Sequence, residues 1–211
     1  IDPFDAREKI KALNPDVVTL DIEMPKMDGL SFLEKIMTLR PMPVVMASTL
    51  TQKGADETLR ALELGAVDYV SKPQHAQTRS TLTPLQNELQ DKVRAAAGVN
   101  IGARATRMQQ TQSNVIPFSP AGGMSQHIIA MGSSTGGVEA LRDVFLQLPA
   151  NCPPIVMTQH MPKTFTGSFA KRLDGLSQVN VTEATQGARL KVGHAYLAPG
   201  DRHLKIRKVG S

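Results

Sequence analysis

The chain has 211 residues, of which 41% are hydrophobic and 20% are charged, and its net charge is +5 at neutral pH. This composition is typical of a folded globular protein and excludes an intrinsically disordered one. The modest charge, the absence of tryptophan and the aromatic content of 4% argue against a nucleic-acid-binding protein. The single cysteine, Cys152, excludes an internal disulfide and indicates a core residue in a reducing compartment. No apolar run approaches the roughly 20 residues that span a bilayer.

The first half of the chain alternates helical and extended patterns. Apolar residues at helical spacing predict helices over 4–13, 30–39, 57–64 and 82–97. The pattern of the third shows only the end of a helix, which closes at Gly65. Short β-branched runs predict strands over 16–20, 43–47 and 67–70. Because strands alternate with helices, we expect an α/β domain with a parallel sheet and helices on both faces.

The composition changes over residues 98–126, which are rich in Gln, Ser, Gly, Ala and Arg and show little periodicity. These residues are predicted to be a linker between a first domain at 1–97 and a second at 127–211. In the second domain, the pattern predicts strands over 128–131, 154–158 and 195–198 and helices over 136–148 and 164–173. The chain starts without methionine inside a helical pattern and ends just after a predicted strand. We therefore expect both domains to be incomplete.

Polar side chains follow neighbouring strands of the first domain. Asp21 follows the first predicted strand, Ser48 follows the second, and Lys72 lies just beyond the third. Ligands bind at this edge of an open parallel sheet. A nucleophilic carboxylate, a hydroxyl donor and a fixed cation together suit an aspartyl phosphate. Taken singly, each residue also fits a turn, a helix cap or a solvated surface position.

The first domain resembles the response-regulator receiver domain over residues 1–97. The resemblance rests on the segments 21–29, 44–48 and 69–73. It implies a flavodoxin-like fold in which Asp21 is the phosphoacceptor, Ser48 contacts the phosphoryl group, Lys72 pairs with that group and Tyr69 is an aromatic switch. It also implies Mg²⁺, with Asp21 as a ligand. Receivers carry an acidic pair at the end of their first strand. This chain lacks that strand, the first helix and the second strand, so we expect weak Mg²⁺ binding and weak phosphorylation.

A glycine-rich turn with hydroxyl residues opens the second domain. The segment Gly132-x-Ser134-x-Gly136 lies between a predicted strand and a predicted helix and has the spacing of a nucleophile elbow. A serine nucleophile needs a base, and His160 follows the next predicted strand. Both side chains are therefore expected at one edge of the sheet, where turn amides and the helix N-terminus suit an oxyanion.

Two other interpretations of these residues stay open at this point. The segment 132–137 also fits a phosphate-cradling loop, although it lacks the G-x-G-x-x-G order. His160 alone also fits a structural or surface histidine. The other histidines are weaker candidates for a base, and they are His75, His127, His194 and His203.

The second domain resembles the catalytic domain of the chemotaxis protein-glutamate methylesterases, on the segments 131–137, 158–162, 165–174 and 198–203. The resemblance implies a doubly wound α/β domain with Ser134, rather than Ser133, as the nucleophile and His160 as the base. Thr135 and Gly136 would belong to the active-site turn. The third catalytic residue of the family, an aspartate in a glycine-containing loop, falls after Ser211, and Asp201 does not fit its context. We therefore expect this chain to be a much slower enzyme than one that includes that aspartate.

Together the two resemblances imply a phosphorylation-regulated hydrolase of glutamate methyl esters on chemotaxis receptors, which also deamidates receptor glutamines. Its expected partners are the methyl-accepting receptors and a chemotaxis histidine kinase, in the cytoplasm, with no nucleic acid and no membrane insertion. Ester hydrolysis is expected to need no cofactor. The alternative function is a receiver joined to a non-catalytic nucleotide-binding or scaffold module.

Overall fold

A computed structural model describes residues 3–49, 51–72, 79–101 and 127–208 of the chain. The chain divides into two compact units, Ile1–Asn114 and Val115–Ser211, and each is described by itself. Most of the predicted linker and His75 lie outside the described residues, so the domain boundaries at 97 and 127 stay predictions. In the described part of the chain, no helix combines the length and the apolar character that a bilayer span requires.

The first unit is an α/β fold with a parallel sheet, as predicted. In chain order its elements are α1 (Pro3–Leu13), β1 (Val18–Asp21), α2 (Gly29–Leu39), β2 (Val44–Thr49), α3 (Gln52–Glu63), β3 (Asp68–Lys72) and α4 (Arg79–Ala97). The strands lie in the order β1-β2-β3, and both pairs are parallel. All three strands therefore present their carboxyl ends at one edge of the sheet.

Strand β2 forms the centre of this unit. Val44, Val45 and Met46 are fully buried, and successive side chains of a strand point to opposite faces. Both faces of β2 are therefore covered. On one face, Val45 packs with Ala96 of α4 in a cluster of aliphatic side chains, while α2 and α3 pack against β1 and β2.

Several boundaries in the first unit differ from prediction. Strand β1 occupies 18–21 rather than 16–20, β3 occupies 68–72 rather than 67–70, and α4 begins at 79 rather than 82. Strand β2 continues through Ser48 to Thr49, because these residues pair with Ser71 and Lys72 of β3. Ser48 therefore lies inside the strand rather than after it. Helix α3 begins at Gln52, where Thr51 caps it by accepting a hydrogen bond from the backbone N–H of Gly54. Its polar first turn hid this start from the hydrophobic pattern.

The second unit is also α/β. Its elements are β4 (Ile129–Ser133), α5 (Gly137–Phe145), β5 (Ile155–Gln159), α6 (Lys163–Leu176), β6 (Asn180–Glu183) and β7 (His194–Leu197). The strands lie in the order β4-β5-β7-β6, and every pair is parallel. The core contains the fully buried side chains of Phe145, Phe165 and Phe169. Cys152 is buried, as predicted, and burial raises the pKa of its thiol.

Strand β4 ends two residues later than the apolar run predicts. The prediction ended the strand at Met131, before Gly132. Instead, Gly132 and Ser133 continue the strand because they pair with Thr158 and Gln159 of β5. Cross-strand pairing therefore overrode the turn-forming tendency of the glycine. The helix that follows is shorter than predicted and occupies Gly137–Phe145.

Helix α2 begins at a carboxylate cap that lies in the loop after Asp21. The Asp28 side chain accepts hydrogen bonds from the Ser31 backbone N–H at 2.9 Å and from the Ser31 hydroxyl at 2.8 Å. A side-chain acceptor at this position satisfies a backbone donor that the helix leaves unpaired. The bond from the Ser31 N–H, followed by that from its hydroxyl, lowers the pKa of Asp28.

Replacing this cap should destabilise the first unit. We expect Asp28→Ala to lower its free energy of unfolding by about 1 kcal/mol, measured by urea unfolding with NMR signals of α2 as the probe. Glu34→Ala, at an exposed position of the same helix, should change that energy by less than about 0.5 kcal/mol. Because the folded-state pKa of Asp28 is lowered, the difference should be present above about pH 4 and shrink as the pH falls through that pKa. Equal losses in both variants would contradict the capping role.

Candidate functional site

Asp21 and Lys72 meet at the carboxyl edge of the first sheet. Asp21 ends β1 and Lys72 ends β3, and the Lys72 ammonium forms an ion pair with Oδ2 of Asp21. The other carboxylate oxygen of Asp21 accepts a hydrogen bond from the backbone N–H of Glu23 at 3.1 Å. Each of the two charged side chains is a little over one-third exposed. The structure thus presents to solvent a carboxylate with a cation already beside it.

The hydroxyl of Ser48 is directed into the unit. Ser48 is 1% exposed and Thr58 of α3 is fully buried. The two hydroxyl oxygens lie 2.6 Å apart, and Ser48 also donates to the carbonyl oxygen of Gly54 at 3.1 Å. Ser48 is therefore held by α3 in this structure, rather than joining Asp21 and Lys72 in one hydrogen-bonded set.

Tyr69 is buried beneath an ionic cluster. The ammonium of Lys92 lies 4.8 Å from the centre of the Tyr69 ring and donates to the Tyr69 carbonyl oxygen at 2.6 Å. The same ammonium pairs with the carboxylates of Asp68 at 3.5 Å and Glu88 at 2.8 Å. Burial, and then the charges of Asp68 and Glu88, raise the pKa of the Tyr69 hydroxyl. The phenol is therefore neutral at physiological pH.

Gly29 lets helix α2 approach the end of β1. A Cβ atom at this position would lie 2.0 Å from the carbonyl oxygen of Asp21 and 2.8 Å from Cα of Ile22. The backbone N–H of Gly29 donates to the carbonyl oxygen of Ile22 at 2.8 Å. The missing side chain thus allows the hydrogen bond that fixes the loop following Asp21.

Ser134 and His160 meet at the carboxyl edge of the second sheet. Each residue directly follows its strand, and the last residues of the two strands, Ser133 and Gln159, are partners in the parallel register. The backbone N–H of His160 donates to the carbonyl oxygen of Ser133 at 3.0 Å. Ser134 Oγ lies 3.5 Å from His160 Nδ1, and both side chains are exposed. A hydroxyl and an imidazole within this distance suit nucleophile and base.

The glycines around Ser134 serve different purposes. A Cβ at Gly132 would be 3.7 Å from Thr158 Oγ1, which is ordinary contact, so this position is not crowded. Gly136 has a left-handed φ of 72° and no atom within 4 Å of a Cβ position. Gly137 is the crowded position, because a Cβ there would lie 2.2 Å from Gln159 Oε1.

The Gln159 side chain contacts both loops of this site. Its Oε1 accepts a hydrogen bond from the Ser133 hydroxyl at 2.6 Å. Its Nε2 donates to the carbonyl oxygens of Ser134 at 2.9 Å and His160 at 3.3 Å. No carboxylate among the described residues forms a hydrogen bond with His160, and Asp201 is an exposed residue with a φ of 60°.

Comparisons with known proteins identify both units. Residues 2–82 match the response regulator receiver domain, and residues 129–211 match the CheB methylesterase. The chain therefore combines a receiver domain with a CheB methylesterase domain. It is 52% identical over 217 residues to a protein-glutamate methylesterase/protein-glutamine glutaminase of Nitrosomonas europaea. That alignment covers all of this chain and 59% of the relative, so the chain spans about three-fifths of the relative's length.

Each unit also has a solved counterpart from Thermotoga maritima. The CheB methylesterase catalytic domain is 48% identical, with a TM-score of 0.39, and the match covers 40% of this chain and 46% of that one. The response regulator domain of CheB is 42% identical, with a TM-score of 0.42, and the match covers 47% of this chain and 73% of that one.

Phosphorylation of receiver domains typically depends on Mg²⁺, but the described residues do not form a site for this ion. No group of three or more His, Cys, Asp or Glu side chains in the described ranges could hold a metal. In the receiver unit, both oxygens of Asp21 already accept hydrogen bonds, from Lys72 and from Glu23. Mg²⁺ demands octahedral oxygen coordination, which Asp21 by itself does not provide.

The sequence interpretation gave no role to three residues that the structure places against the candidate sites. Thr58 holds the Ser48 hydroxyl, Lys92 covers the Tyr69 ring, and Gln159 bridges the loops of the methylesterase unit. The first two lie on helices, 10 and 23 residues from their partners in the sequence, so no local motif marks them. Gln159 had one available signal, since it ends the strand directly before His160.

Filling the space at Gly29 should displace the end of β1 in the receiver unit. We expect Gly29→Ala to lower the free energy of unfolding by about 1–3 kcal/mol and to shift the amide NMR signals of Asp21 and Ile22. Gly98→Ala is the matched control, because its Cβ would lie 3.6 Å from the nearest atom, the Ala95 carbonyl oxygen. A Gly29→Ala protein with unchanged stability and unchanged signals would show that the close approach is not required.

Proposed function

We propose that this chain carries the serine–histidine site of a hydrolase that removes methyl groups from glutamate methyl esters of chemotaxis receptors and deamidates receptor glutamines. The observation that supports it best is the 3.5 Å separation of Ser134 Oγ and His160 Nδ1 at the end of adjacent parallel strands. The similarity to a protein-glutamate methylesterase/protein-glutamine glutaminase over the whole chain supports the same reaction.

In the proposed reaction, Ser134 Oγ attacks the side-chain carbonyl carbon of the methylated glutamate. His160 takes the serine proton and returns it to the departing methoxide, so methanol leaves and an acyl-serine remains. Water then attacks the acyl carbon with His160 as general base, which releases the glutamate and restores the serine. Deamidation of glutamine follows the same steps with ammonia as the leaving group.

The N-terminus of α5 supports a site for the oxyanion in both steps. Gly136 is the N-cap of this helix, and no side chain caps it. The first-turn N–H groups of a helix are unpaired within the helix and carry a partial positive charge. We propose that backbone amides of the turn stabilise the negative charge that develops on the substrate oxygen. No step of this proposed hydrolysis uses a metal ion.

The exposure of the site supports a substrate that belongs to a protein surface. Ser134, Thr135 and His160 are all exposed. A small free metabolite is usually held in a concave pocket that buries most of its surface. An open serine at the rim of a sheet instead suits a side chain presented by a receptor helix in the cytoplasm.

The receiver unit supports control by phosphorylation. We propose Asp21 as the phosphoacceptor, with a chemotaxis histidine kinase as the donor, because Asp21 is partly exposed and Lys72 already pairs with it. The Lys72 ammonium would remain beside the phosphoryl group and offset its charge. Ser48 would contact that group only after leaving its hydrogen bond with Thr58.

A serine-directed fluorophosphonate tests the hydrolase proposal. We expect the probe to label Ser134 in this chain, as located by peptide mass spectrometry. His160→Gln should slow labelling by about 10³-fold or more, because the serine loses its base. His127→Gln is the control, since His127 is exposed and precedes the opposite end of β4. If nucleotides bind to the chain and Ser134 is not labelled, the non-catalytic module is favoured instead.

A small acyl phosphate tests the proposed control. We expect its addition to raise the labelling rate of Ser134 severalfold. The physical reason is that a dianionic group at Asp21 favours a second conformation of the receiver, in which Ser48 leaves Thr58 and contacts the phosphoryl group. Asp21→Asn should abolish that increase and leave the basal rate unchanged. Equal rates with and without the acyl phosphate, under conditions in which mass spectrometry shows the phosphorylated chain, would contradict the proposal.

A further inference from the structure

We propose that Gln159 is a positioning residue that locks the Ser134 loop to the His160 loop. The inference rests on the proposed function, in which Ser134 and His160 are the reacting pair. Gln159 is the last residue of β5 and lies opposite Ser133, the last residue of β4. Its side chain therefore sits at the point where both strands release their loops.

Both polar groups of the Gln159 side-chain amide form hydrogen bonds. Its oxygen accepts from the Ser133 hydroxyl at 2.6 Å, and its NH₂ group donates to the carbonyl oxygens of Ser134 and His160 at 2.9 and 3.3 Å. One side chain thus donates to the backbone carbonyl oxygens of both Ser134 and His160. The Ser134 carbonyl oxygen also accepts from the Gly137 N–H at 2.8 Å, so this turn is fixed from two directions.

Direct contact between the reacting groups cannot supply this fixation. Ser134 Oγ and His160 Nδ1 are 3.5 Å apart, at the long limit of a hydrogen bond, and both side chains are exposed. An exposed serine side chain can rotate among its staggered rotamers, so this contact does not hold the backbone of the two loops in place. The bonds of the half-buried Gln159 amide are shorter, at 2.6, 2.9 and 3.3 Å. They therefore set the distance over which the two reacting groups can meet.

The close approach of Gly137 supports the same role. A Cβ atom at this position would lie 2.2 Å from Gln159 Oε1 and 2.7 Å from Cβ of Ser133. Helix α5 thus starts with a residue that leaves space for the amide. The glycine at 137 and the glutamine at 159 form one packing arrangement, and neither is accounted for by the serine and histidine themselves.

Only glutamine among the common side chains of this size supplies an acceptor and two donors in this geometry. Gln159→Glu keeps the shape and the acceptor but removes both donors, and it sets a carboxylate against the carbonyl oxygens of Ser134 and His160. Gln159→Met keeps the volume and removes all three hydrogen bonds. The two variants together separate loss of the bonds from charge repulsion.

Amide hydrogen exchange tests the order of the two loops independently of any reaction. We expect both variants to raise amide hydrogen exchange at residues 134–136 and 160 by about tenfold or more, while Met157 in the interior of β5 exchanges as in the parent. Gln147→Glu is the matched control, because Gln147 is exposed and, among the described residues, its amide donates to the Asp143 carbonyl oxygen and to neither loop of the site. Unchanged exchange at the loops would overturn the proposal, and so would an equal rise throughout β4 and β5.

The reaction of Ser134 with the fluorophosphonate is the second measurement. We expect labelling at least tenfold slower in both variants, with the Gln147→Glu protein equal to the parent. A parent protein that does not label at Ser134 would count against the proposed hydrolase, while the exchange data would still decide the role of Gln159. Normal labelling of Ser134 in both variants would overturn the positioning role even if the loops exchanged faster.

Discussion

The in-register pairing of adjacent parallel strands is the constraint on which both candidate sites depend. In the methylesterase unit, Ser133 lies opposite Gln159, so the next residue of each strand, Ser134 and His160, leaves the sheet at the same edge. A shift of one residue would turn each side chain of the strand to the other face. The backbone pairing of β4 with β5 thus brings together two residues that are 26 positions apart in the sequence.

The same constraint operates in the receiver unit but brings together a different set of groups. Parallel pairing of β1 with β2 and of β2 with β3 aligns the ends that carry Asp21 and Lys72, and these two side chains form an ion pair. Ser48 occupies the strand between them, yet its hydroxyl bonds to Thr58. Register fixes where a residue stands along the edge of a sheet, whereas the neighbouring helix determines which partner its side chain takes.

Missing side chains complete both sites. Gly29 allows α2 to reach the end of β1, and Gly137 allows α5 to begin against the amide of Gln159. Neither glycine has a positive φ, so both are required by contact rather than by backbone conformation. In contrast, Gly136 has a left-handed φ and open space around it. Three glycines that look alike in the sequence thus serve two distinct physical purposes.

The local pattern of the chain determined the α/β class, the alternation of helices and strands, and the position of Asp21, Lys72, Ser134 and His160 near strand ends. These follow from period and punctuation, which are properties of neighbouring residues. The pattern did not give the end of β2 at Thr49 or of β4 at Ser133, because pairing with another strand extends each one.

Contacts between residues far apart in the chain decided the rest. The contact of Ser48 with Thr58, the Lys92 ammonium over the Tyr69 ring, and the hydrogen bonds of Gln159 to Ser133 and Ser134 all join different elements of the fold. The sequence by itself determined which residues stand at the two edges. Only the tertiary structure decided which of them touch, because hydrogen bonding and close packing depend on ångström-scale distances that no local pattern encodes.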